Sequence, residues 1–310
     1  MNPGVVVIVG PTAVGKTQLA VEVADRLGTE IVSADAVQVY RGFSIGTAAP
    51  TEDEQSRVVH HLVGTVDPHD HYSAARFARD ARTVIDRLQE DGRMPVVVGG
   101  SGLYLRALVD GLFPGPNADK AVRDRLRREA DEHGVHALHR RLAEVDPVAA
   151  GKIGTNDLRR IVRALEIFEL SGRPISEMQR EHREAARDTL DARWFGLTMD
   201  RKELYRRIDE RVERMCAEGF VDEVQALIDG GYAGDIDRIG ALGYREIKRY
   251  IDGEIEIDTA KSLIARDTRR YAKRQMTWFR RNDRIHWFTV TESTDLGGVA
   301  DEIVDQVTAD

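Results

Sequence analysis

The chain has 310 residues, of which 42% are hydrophobic, enough for one large domain or two. No apolar stretch approaches the roughly 18 residues that a membrane span needs, and the N-terminus lacks the basic start and small-residue cleavage site of a signal peptide. The single cysteine, Cys216, excludes an intramolecular disulfide and a cysteine-rich zinc module. We therefore expect a cytoplasmic globular protein without a membrane partner.

The net charge of −8 argues against a nucleic-acid partner only on average, because binding depends on the local field. Residues 266–281 carry seven Lys and Arg against one acid, Asp267, and fall largely on one side of a predicted helix. Residues 156–163 carry three Arg against Asp157. These two basic segments keep a nucleic-acid partner open.

The first third of the chain alternates between predicted strands and helices. "GVVVIVG" (4–10), "EIVSAD" (30–35) and "MPVVVGG" (94–100) are apolar runs typical of buried strands. "TQLAVEVADRLG" (17–28) and "RFARDARTVIDRLQEDGR" (76–93) have helical spacing. This order predicts an α/β fold, in which helices flank a parallel sheet.

After this region the pattern becomes helical, with glycine breaks and no β-branched apolar run. We predict an all-helical insertion domain over residues 117–190. "ARWFGLTM" (192–199) predicts that the chain then returns to the sheet, and "IHWFTV" (285–290) predicts a last short strand after a mostly helical stretch. The core domain would consist of residues 1–116 and 191–310.

The loop between the first strand and the first helix matches the G-x-x-x-x-G-K-[ST] pattern at Gly10, Gly15, Lys16 and Thr17. The glycines let backbone N–H groups turn toward a phosphate, Lys16 adds a positive charge, and Thr17 offers a hydroxyl to Mg²⁺. A strand before the loop and a helix after it are the context that this motif requires. We therefore predict a P-loop NTPase-like core with a phosphate site, rather than a plain glycine-rich turn. The motif does not identify the reaction.

The acidic residue expected near such a loop is in an unusual place. P-loop NTPases usually carry a second strand that ends in an acid near the metal. Here the strand at 94–100 ends in glycines, and the acid is Asp35, at the end of the strand at 30–35. Open α/β sheets bind ligands at this edge. Asp35 is therefore a candidate catalytic group, and a carboxylate that only caps the following turn is the alternative.

Seven segments follow one another along nearly the whole chain. They are "GPTAVGKT" (10–17), "SADAVQVYRGFSIGTAAP" (33–50), "VVHHLVGTVDPHDHYSAARF" (58–77), "VVGGSGLYLRAL" (97–108), "NDLRRIVRALEIFELSGRPIS" (156–176), "ALGYREI" (241–247) and "KRQMTWFRR" (273–281). In this order and spacing the sequence resembles the tRNA dimethylallyltransferase family. We expect the bacterial type, without the C-terminal zinc finger of eukaryotic relatives.

The resemblance implies a prenyltransferase that takes a dimethylallyl group from dimethylallyl diphosphate. The acceptor would be the N6 amine of the adenosine on the 3′ side of the anticodon, in tRNAs that read U-initial codons, and diphosphate would be released. The implied partners are the tRNA anticodon arm and dimethylallyl diphosphate, and the implied cofactor is Mg²⁺. The enzyme is expected to be a monomer.

The resemblance also implies roles for single residues. Asp35 would accept the proton of the attacking amine, which as an aromatic amine is a poor nucleophile. Lys16 and Arg211 would stabilise the departing diphosphate, with Arg207 as the alternative to Arg211. Thr17 would hold Mg²⁺. The diphosphate would bind to the P-loop, the motif that binds ATP in nucleotide-binding proteins. Its residues here are Gly10, Pro11, Thr12, Ala13, Val14, Gly15, Lys16 and Thr17.

A larger set is implied to contact tRNA. Its members are Asp35, Ala36, Val37, Gln38, Ser101, Arg123, Arg159, Arg160, Ile161, Val162, Arg163, Gly243, Tyr244, Arg245, Lys273, Arg274, Gln275, Trp278 and Arg280. Enzymes that act on a base take it out of its stack. The residues from Asp35 to Gln38, with Ser101, would hold the extruded adenine, and Gln38 could bond a base edge with both amide atoms.

The sequence departs from the family pattern at three positions, and two features invite other interpretations. Ala36, Ala49 and Ser101 stand where Ser or Thr, Lys, and Thr are common; Ser101 keeps the hydroxyl, whereas Ala49 removes a charge. The histidines at 60, 61, 69 and 71 are dense, but no ligand pairing on a predicted helix supports zinc. The glycines of "GGSGLY" lack the dinucleotide spacing, and we expect them to let backbone and substrate approach closely.

Three other functions stay open. A small-molecule kinase with a P-loop would share the fold and consume a nucleoside triphosphate, but it leaves the basic helix unexplained. An enzyme that prenylates free adenine nucleotides would share the chemistry, and only the implied tRNA contacts speak against it. A non-catalytic RNA-binding protein would use the basic segments but would have no purpose for the P-loop beside Asp35.

Overall fold

The structure is a computed structural model that describes residues 3–113, 115–185 and 190–309, without the side chains at 183 and 185. The chain forms two compact units. Unit 1 comprises Met1–Val109 and Leu190–Asp310, and unit 2 comprises Asp110–Thr189. The sequence predicts an insertion that starts at residue 117, whereas unit 2 starts at Asp110.

Among the described residues the sheet of unit 1 has six parallel strands in the order β3-β2-β4-β1-β5-β6. They are β1 (Val5–Val9), β2 (Ile31–Ser33), β3 (His60–His61), β4 (Val96–Val98), β5 (Ala192–Thr198) and β6 (Ile285–Thr289). The predicted α/β class with a parallel sheet flanked by helices is confirmed. The two-residue β3 was not predicted, because a strand this short has no recognisable pattern of its own.

The helices number fifteen within the described residues. They are α1 (Lys16–Arg26), α2 (Glu52–Arg57), α3 (Ala74–Glu90), α4 (Gly102–Val109), α5 (Lys120–His133), α6 (Val135–Val145), α7 (Pro147–Ala150), α8 (Leu158–Ser171), α9 (Ile175–Ala185), α10 (Arg201–Ala217), α11 (Phe220–Asp229), α12 (Ala233–Ile239), α13 (Tyr244–Ile251), α14 (Ile257–Phe279) and α15 (Leu296–Thr308). None is long and apolar enough to cross a membrane, in the part of the chain that is described.

The position of β1 at the centre of the sheet follows from its sequence. Its five residues, VVVIV, are all buried, as expected for a parallel strand covered on both faces. β1 pairs with β4 on one side, where Ile8 lies opposite Val98, and with β5 on the other, where Val9 lies opposite Gly196. The loop that follows β1 therefore emerges in the middle of the carboxyl edge, beside the ends of both neighbours.

The C-terminal helix α15 was not predicted, since the sequence analysis proposed only a last strand in this part of the chain. It packs against α1, and its buried residues Ala300, Ile303 and Val307 join the apolar cluster that includes Leu19 and Val23 of α1. Six apolar residues recur at helical spacing in this segment, so the sequence does carry a signal for the helix: Leu296, Val299, Ala300, Ile303, Val304 and Val307. Their burial against α1 is a long-range contact that stabilises it.

Unit 2 has its own apolar core, which agrees with its prediction as an all-helical region. The core includes Leu126, Leu138, Leu142, Ile161 and Leu165, drawn from three helices. Glycines end two of these helices: a left-handed Gly172 (φ 69°) caps α8, and Gly134 (φ 82°) separates α5 from α6. The predicted helical insertion extends to residue 190, and residues 186–189 within it lie outside the described residues.

Candidate active site at the carboxyl edge of the sheet

The phosphate loop has the backbone that its glycines predict. Gly10 (φ 148°), Ala13 (φ 67°) and Gly15 (φ 106°) have positive φ values, a pattern that turns successive N–H groups into one concavity. A Cβ on Gly10 would lie 2.7 Å from the Leu197 carbonyl oxygen of β5, so the strand leaves no room for a side chain. The first turn of α1 carries no acidic residue, and the positive end of this helix is open to an anion.

Two cations lie at this loop, one from the loop itself and one from α10, 199 positions after Thr12. The Lys16 ammonium donates to the Pro11 carbonyl oxygen at 2.7 Å. Arg211, on α10, donates from Nη1 to the Thr12 hydroxyl at 3.2 Å and from Nη2 to the Thr47 carbonyl oxygen at 3.3 Å. The structure therefore places Arg211 at the loop, as the sequence analysis preferred over Arg207.

The pKa values of both cations are lowered, and this favours the binding of an anionic ligand. Burial lowers the pKa of Lys16 to about 7, with a further lowering by Arg211 and an opposing effect of Asp35. Burial also lowers the pKa of Arg211 to about 10, against the raising effect of Asp35. Because two positive groups share the site with one carboxylate, an incoming anion would stabilise both charged forms.

Asp35 caps the turn that follows β2, but this contact uses only one of its oxygens. The backbone N–H groups of Val37 and Gln38 donate to Asp35 Oδ1 at 2.8 and 3.2 Å. In the described part of the chain the hydrogen bonds of this carboxylate all involve Oδ1. Asp35 thus caps the turn through Oδ1, as the alternative interpretation predicts, and Oδ2 remains available to accept a proton.

Gln38 is engaged inside the protein. Its Oε1 accepts from the Ser33 hydroxyl at 3.0 Å, and its Nε2 donates to the carbonyl oxygens of Thr47 and Ala48, both at 3.1 Å. A two-atom contact with an adenine edge would have to replace these bonds. In this structure Gln38 holds the loop at 47–48, and its contact with an adenine edge stays a prediction.

Glu223, on α11, is a site residue that the sequence analysis missed. Its carboxylate accepts from the backbone N–H groups of Ser44, Ile45 and Gly46 at 3.0, 2.7 and 3.1 Å, and from the Tyr244 hydroxyl at 2.7 Å. It thereby fixes the same loop whose Thr47 carbonyl holds Arg211. The sequence offers no signal for this role, since an acid on a helix most often faces solvent.

Other segments of the protein pack closely against the glycines of "GGSG". A Cβ on Gly99 would lie 2.2 Å from the Ala34 carbonyl oxygen, and one on Gly100 would lie 2.0 Å from Nε2 of Gln275 on α14. A Cβ on Gly102 would lie 2.2 Å from Nε1 of Trp278, one turn further along α14. These glycines therefore allow close packing of α14 and of the segment that follows β2, and a close approach of substrate stays a prediction. Between them, Ser101 accepts from the Ala36 N–H at 3.1 Å.

Several residues implied to contact tRNA are inside the protein. Tyr244 is fully buried, Gln275 is 5% exposed, and Ile161 and Val162 lie in the core of unit 2. A direct tRNA contact through these four side chains is not supported, since each is already packed among other residues. Gly243 (φ 92°) caps α13 and Arg245 is bonded to Asp237, so both have a local structural task.

Arg123 and Arg163 of unit 2 share a buried acid. Arg123 donates to Glu166 from Nε at 2.8 Å and from Nη2 at 3.0 Å, and Arg163 donates to it at 2.6 Å. Glu166 is fully buried; burial pushes its pKa upward, but the bonds from the two guanidiniums outweigh this and the pKa is lowered. By contrast, Arg159 and Arg160 at the start of α8 are exposed.

The surface of α14 carries the exposed cations that the sequence predicted. Lys273, Arg274 and Arg280 are exposed, and Trp278 is 38% exposed beside them. Among the described residues none of these three cations forms an ion pair with an acid. We call these residues the outer face of α14. Earlier in the helix, Arg269 is already paired with Asp209 at 2.7 Å.

The dense histidines take part in ordinary contacts. His61 bonds Glu30 at 2.6 Å, and His69 bonds Asp235 at 2.7 Å. In the described residues no group of three or more His, Cys, Asp or Glu side chains is arranged to hold a metal ion.

Comparison with known proteins gives consistent matches over most of the chain. The family model of the IPP transferases matches residues 38–282. The tRNA dimethylallyltransferase of Geobacter sulfurreducens is 49% identical over 282 residues, which are 91% of this chain and 90% of that protein. The full-length tRNA isopentenylpyrophosphate transferase of Bacillus halodurans, a crystal structure, is 38% identical with a TM-score of 0.71, covering 100% of this chain and 98% of that one. A eukaryotic dimethylallyltransferase, captured acting on tRNA, is 25% identical with a TM-score of 0.81, covering 98% of this chain and 78% of that one.

Proposed function

The chain belongs to the IPP transferase family, and on that premise we propose that it transfers a dimethylallyl group from dimethylallyl diphosphate to a tRNA. The acceptor is the N6 amine of the adenosine on the 3′ side of the anticodon, in tRNAs that read U-initial codons. The observation that carries the proposal is the meeting of the phosphate loop, two half-buried cations and a carboxylate with a free oxygen at one edge of the sheet.

The diphosphate binds to the concavity of the loop. Backbone N–H groups and the helix terminus supply fixed positive ends, while Lys16 and Arg211 supply charge. When the carbon–oxygen bond of the donor breaks, the electron pair stays on the diphosphate oxygen. The two cations stabilise the charge that develops there, and this stabilisation is strongest in a partly desolvated site.

Asp35 acts on the acceptor. As the new carbon–nitrogen bond forms, the amine nitrogen becomes positive and loses a proton, which Oδ2 of Asp35 accepts. Oδ1 remains bonded to the Val37 and Gln38 N–H groups, which hold the carboxylate in one orientation. The product is N6-dimethylallyl adenosine with free diphosphate, so atoms and charge balance without an added oxidant or reductant.

We propose Mg²⁺ as the cofactor, bound together with the diphosphate. The chain fits such an ion through the Thr17 hydroxyl at the start of α1, and the described residues offer no cluster of three acids or histidines that would hold it alone. Mg²⁺ commonly keeps water ligands and binds substrate phosphate oxygens. When bound, it would neutralise part of the diphosphate charge.

The tRNA anticodon arm is attracted by exposed cations. These are the outer face of α14 and, in unit 2, Arg159 and Arg160. Phosphate contacts of this kind supply affinity without reading the sequence. The target adenine is taken out of its stack to reach Asp35. We expect the enzyme to act as a monomer in the cytoplasm.

The proposal is tested by a transfer assay with purified protein, Mg²⁺ and radiolabelled dimethylallyl diphosphate. Unmodified tRNA that reads U-initial codons should become labelled at the adenosine beside the anticodon, and a tRNA with guanosine at that position is the matched control. Parallel reactions contain free AMP, or ATP without a prenyl donor. Labelling of AMP alone would indicate a free-nucleotide prenyltransferase, and ATP hydrolysis without any labelling would indicate a kinase; either result overturns the proposal.

A further inference from the structure

The side chain of Gln275 joins three parts of the active site. It projects from α14, is 5% exposed, and forms hydrogen bonds at both ends of its amide. Its Oε1 accepts from the Thr12 N–H of the phosphate loop at 2.8 Å, and its Nε2 donates to the Gly100 carbonyl oxygen at 3.2 Å. A buried amide with both ends bonded has a single favourable orientation.

These bonds fix Thr12 from two sides. Its N–H points to Gln275, while its hydroxyl accepts from Arg211 at 3.2 Å. The phosphate loop is thus held on one side by α14 and on the other by α10. The Thr12 N–H is committed to Gln275, so the cradle that binds phosphate consists of the N–H groups that follow it.

The other end of the same amide reaches the acceptor side of the site. Gly100 precedes Ser101, whose hydroxyl accepts from the N–H of Ala36, next to Asp35. A side chain at Gly100 would displace the Gln275 amide, since its Cβ would lie 2.0 Å from Nε2 of Gln275. One amide therefore spans the loop that would bind diphosphate and the segment that carries the proton acceptor.

We propose that Gln275 is a positioning residue, which holds the phosphate loop at a fixed spacing from the acceptor segment. This inference rests on the proposed function for what the two segments bind. It differs from the sequence prediction, in which Gln275 contacts tRNA. Lys273 and Arg274 lie on the outer face of the same helix, so a tRNA bound there rests on the element that holds Thr12.

The test measures pyrophosphate binding with Mg²⁺ by calorimetry, in the absence of tRNA, on the full-length protein. Gln275→Ala leaves the Thr12 N–H and the Gly100 carbonyl without partners. We expect pyrophosphate to bind about 3- to 10-fold more weakly, the effect of roughly one hydrogen bond. Affinity for tRNA should change less than about 2-fold, whereas a tRNA-contacting Gln275 would give the reverse pattern and overturn the inference.

A double-mutant cycle separates positioning from a general loss of packing. Gly100→Ala displaces the Gln275 amide from the other side, so it should weaken pyrophosphate binding by a similar factor. Once Gln275→Ala has made room, adding Gly100→Ala should cost little more, which gives a strongly non-additive cycle. Additive losses, or unchanged pyrophosphate binding in Gln275→Ala, would overturn the inference.

Two further variants serve as controls. Thr277→Val alters the exposed face of the same helix, where the hydroxyl bonds only the Lys273 carbonyl, and should leave pyrophosphate binding and the melting temperature unchanged. Lys273→Ala should weaken tRNA binding and leave pyrophosphate binding intact. Since pyrophosphate binding is measured without transfer, a failure of this inference is distinct from a failure of the proposed reaction, which the labelling assay detects.

Discussion

Lys16 and Arg211 at the phosphate loop differ from Lys273 and Arg274 on α14 in almost everything except charge. The first pair is held by hydrogen bonds to the loop, and burial lowers the pKa of both groups. The second pair is exposed on the outer face of α14. Buried charges act strongly over short distances at fixed geometry, whereas exposed charges act through a field that salt screens. Unit 1 therefore carries two kinds of cation. Lys16 and Arg211 are suited to catalysis at fixed geometry, and Lys273 and Arg274 are suited to attracting a polyanion.

The largest effect is expected at Asp35, whose carboxylate interacts electrostatically with both Lys16 and Arg211. Asp35→Asn keeps an oxygen for the Val37 and Gln38 N–H groups but loses the proton acceptor. We expect single-turnover transfer to fall by about 10²- to 10⁴-fold, while tRNA affinity changes little. A variant that keeps nearly full activity would show that another group accepts the proton.

Arg211 is expected to come next, because its guanidinium is oriented by both Thr12 and Thr47. Arg211→Gln should lower kcat by about 10²-fold, the usual effect of removing one donor that stabilises a developing anion. Arg207→Gln, on the same helix, is the matched control and should change kcat by no more than about 2-fold. Equal losses in the two variants would place the diphosphate elsewhere along α10.

The low pKa of Lys16 predicts that pyrophosphate affinity depends on pH. A bound diphosphate favours the charged ammonium, so above its free-site pKa of about 7 binding must take up a proton. Measured in EDTA, pyrophosphate affinity should fall by up to about 10-fold per pH unit above that value. In Lys16→Met only the titration of pyrophosphate itself should remain. Identical pH profiles for the unmodified protein and Lys16→Met would show that protonation of Lys16 is not coupled to pyrophosphate binding.

The smallest effect is expected on the outer face of α14. Arg274→Ala should weaken tRNA binding a few-fold and reduce the slope of log affinity against log salt concentration by about 1. Arg269→Ala is the control, since Asp209 already neutralises that guanidinium, and it should change the slope less. A lower pyrophosphate affinity in Arg274→Ala would show that the outer face of α14 also contributes to pyrophosphate binding, contrary to the proposed difference from the phosphate loop.

What could be predicted from the sequence was local. A buried strand, a glycine-rich loop and an amphipathic helix in succession identify the phosphate site from neighbouring residues alone, and Asp35 is recognisable at the next strand end. The seven family segments predicted the family, which the relatives confirm. The residue contacts implied by those segments are only partly compatible with the structure, because a segment match does not show which side chains face outward.

What could not be predicted depends on contacts between distant parts of the chain. Gln275 meets Thr12 across 263 positions, and Glu223 meets Ser44 across 179. Arg123 and Arg163 look like free cations in the sequence, and only the fold shows that they enclose the buried Glu166. Amphipathic spacing predicts the buried face of a helix, but not the partner that a polar side chain on that face will find.

The three N–H groups of Ser44, Ile45 and Gly46 have the arrangement of an anion receptor, and Glu223 already fills it. An acid supplied by the chain itself therefore competes with any phosphate that approaches this second cradle. A phosphorylated inhibitor would consequently be directed to the loop after β1. Replacing Glu223 with a neutral, shorter residue would free these three N–H groups to bind an anion. Such a compound would then be less selective for the loop after β1.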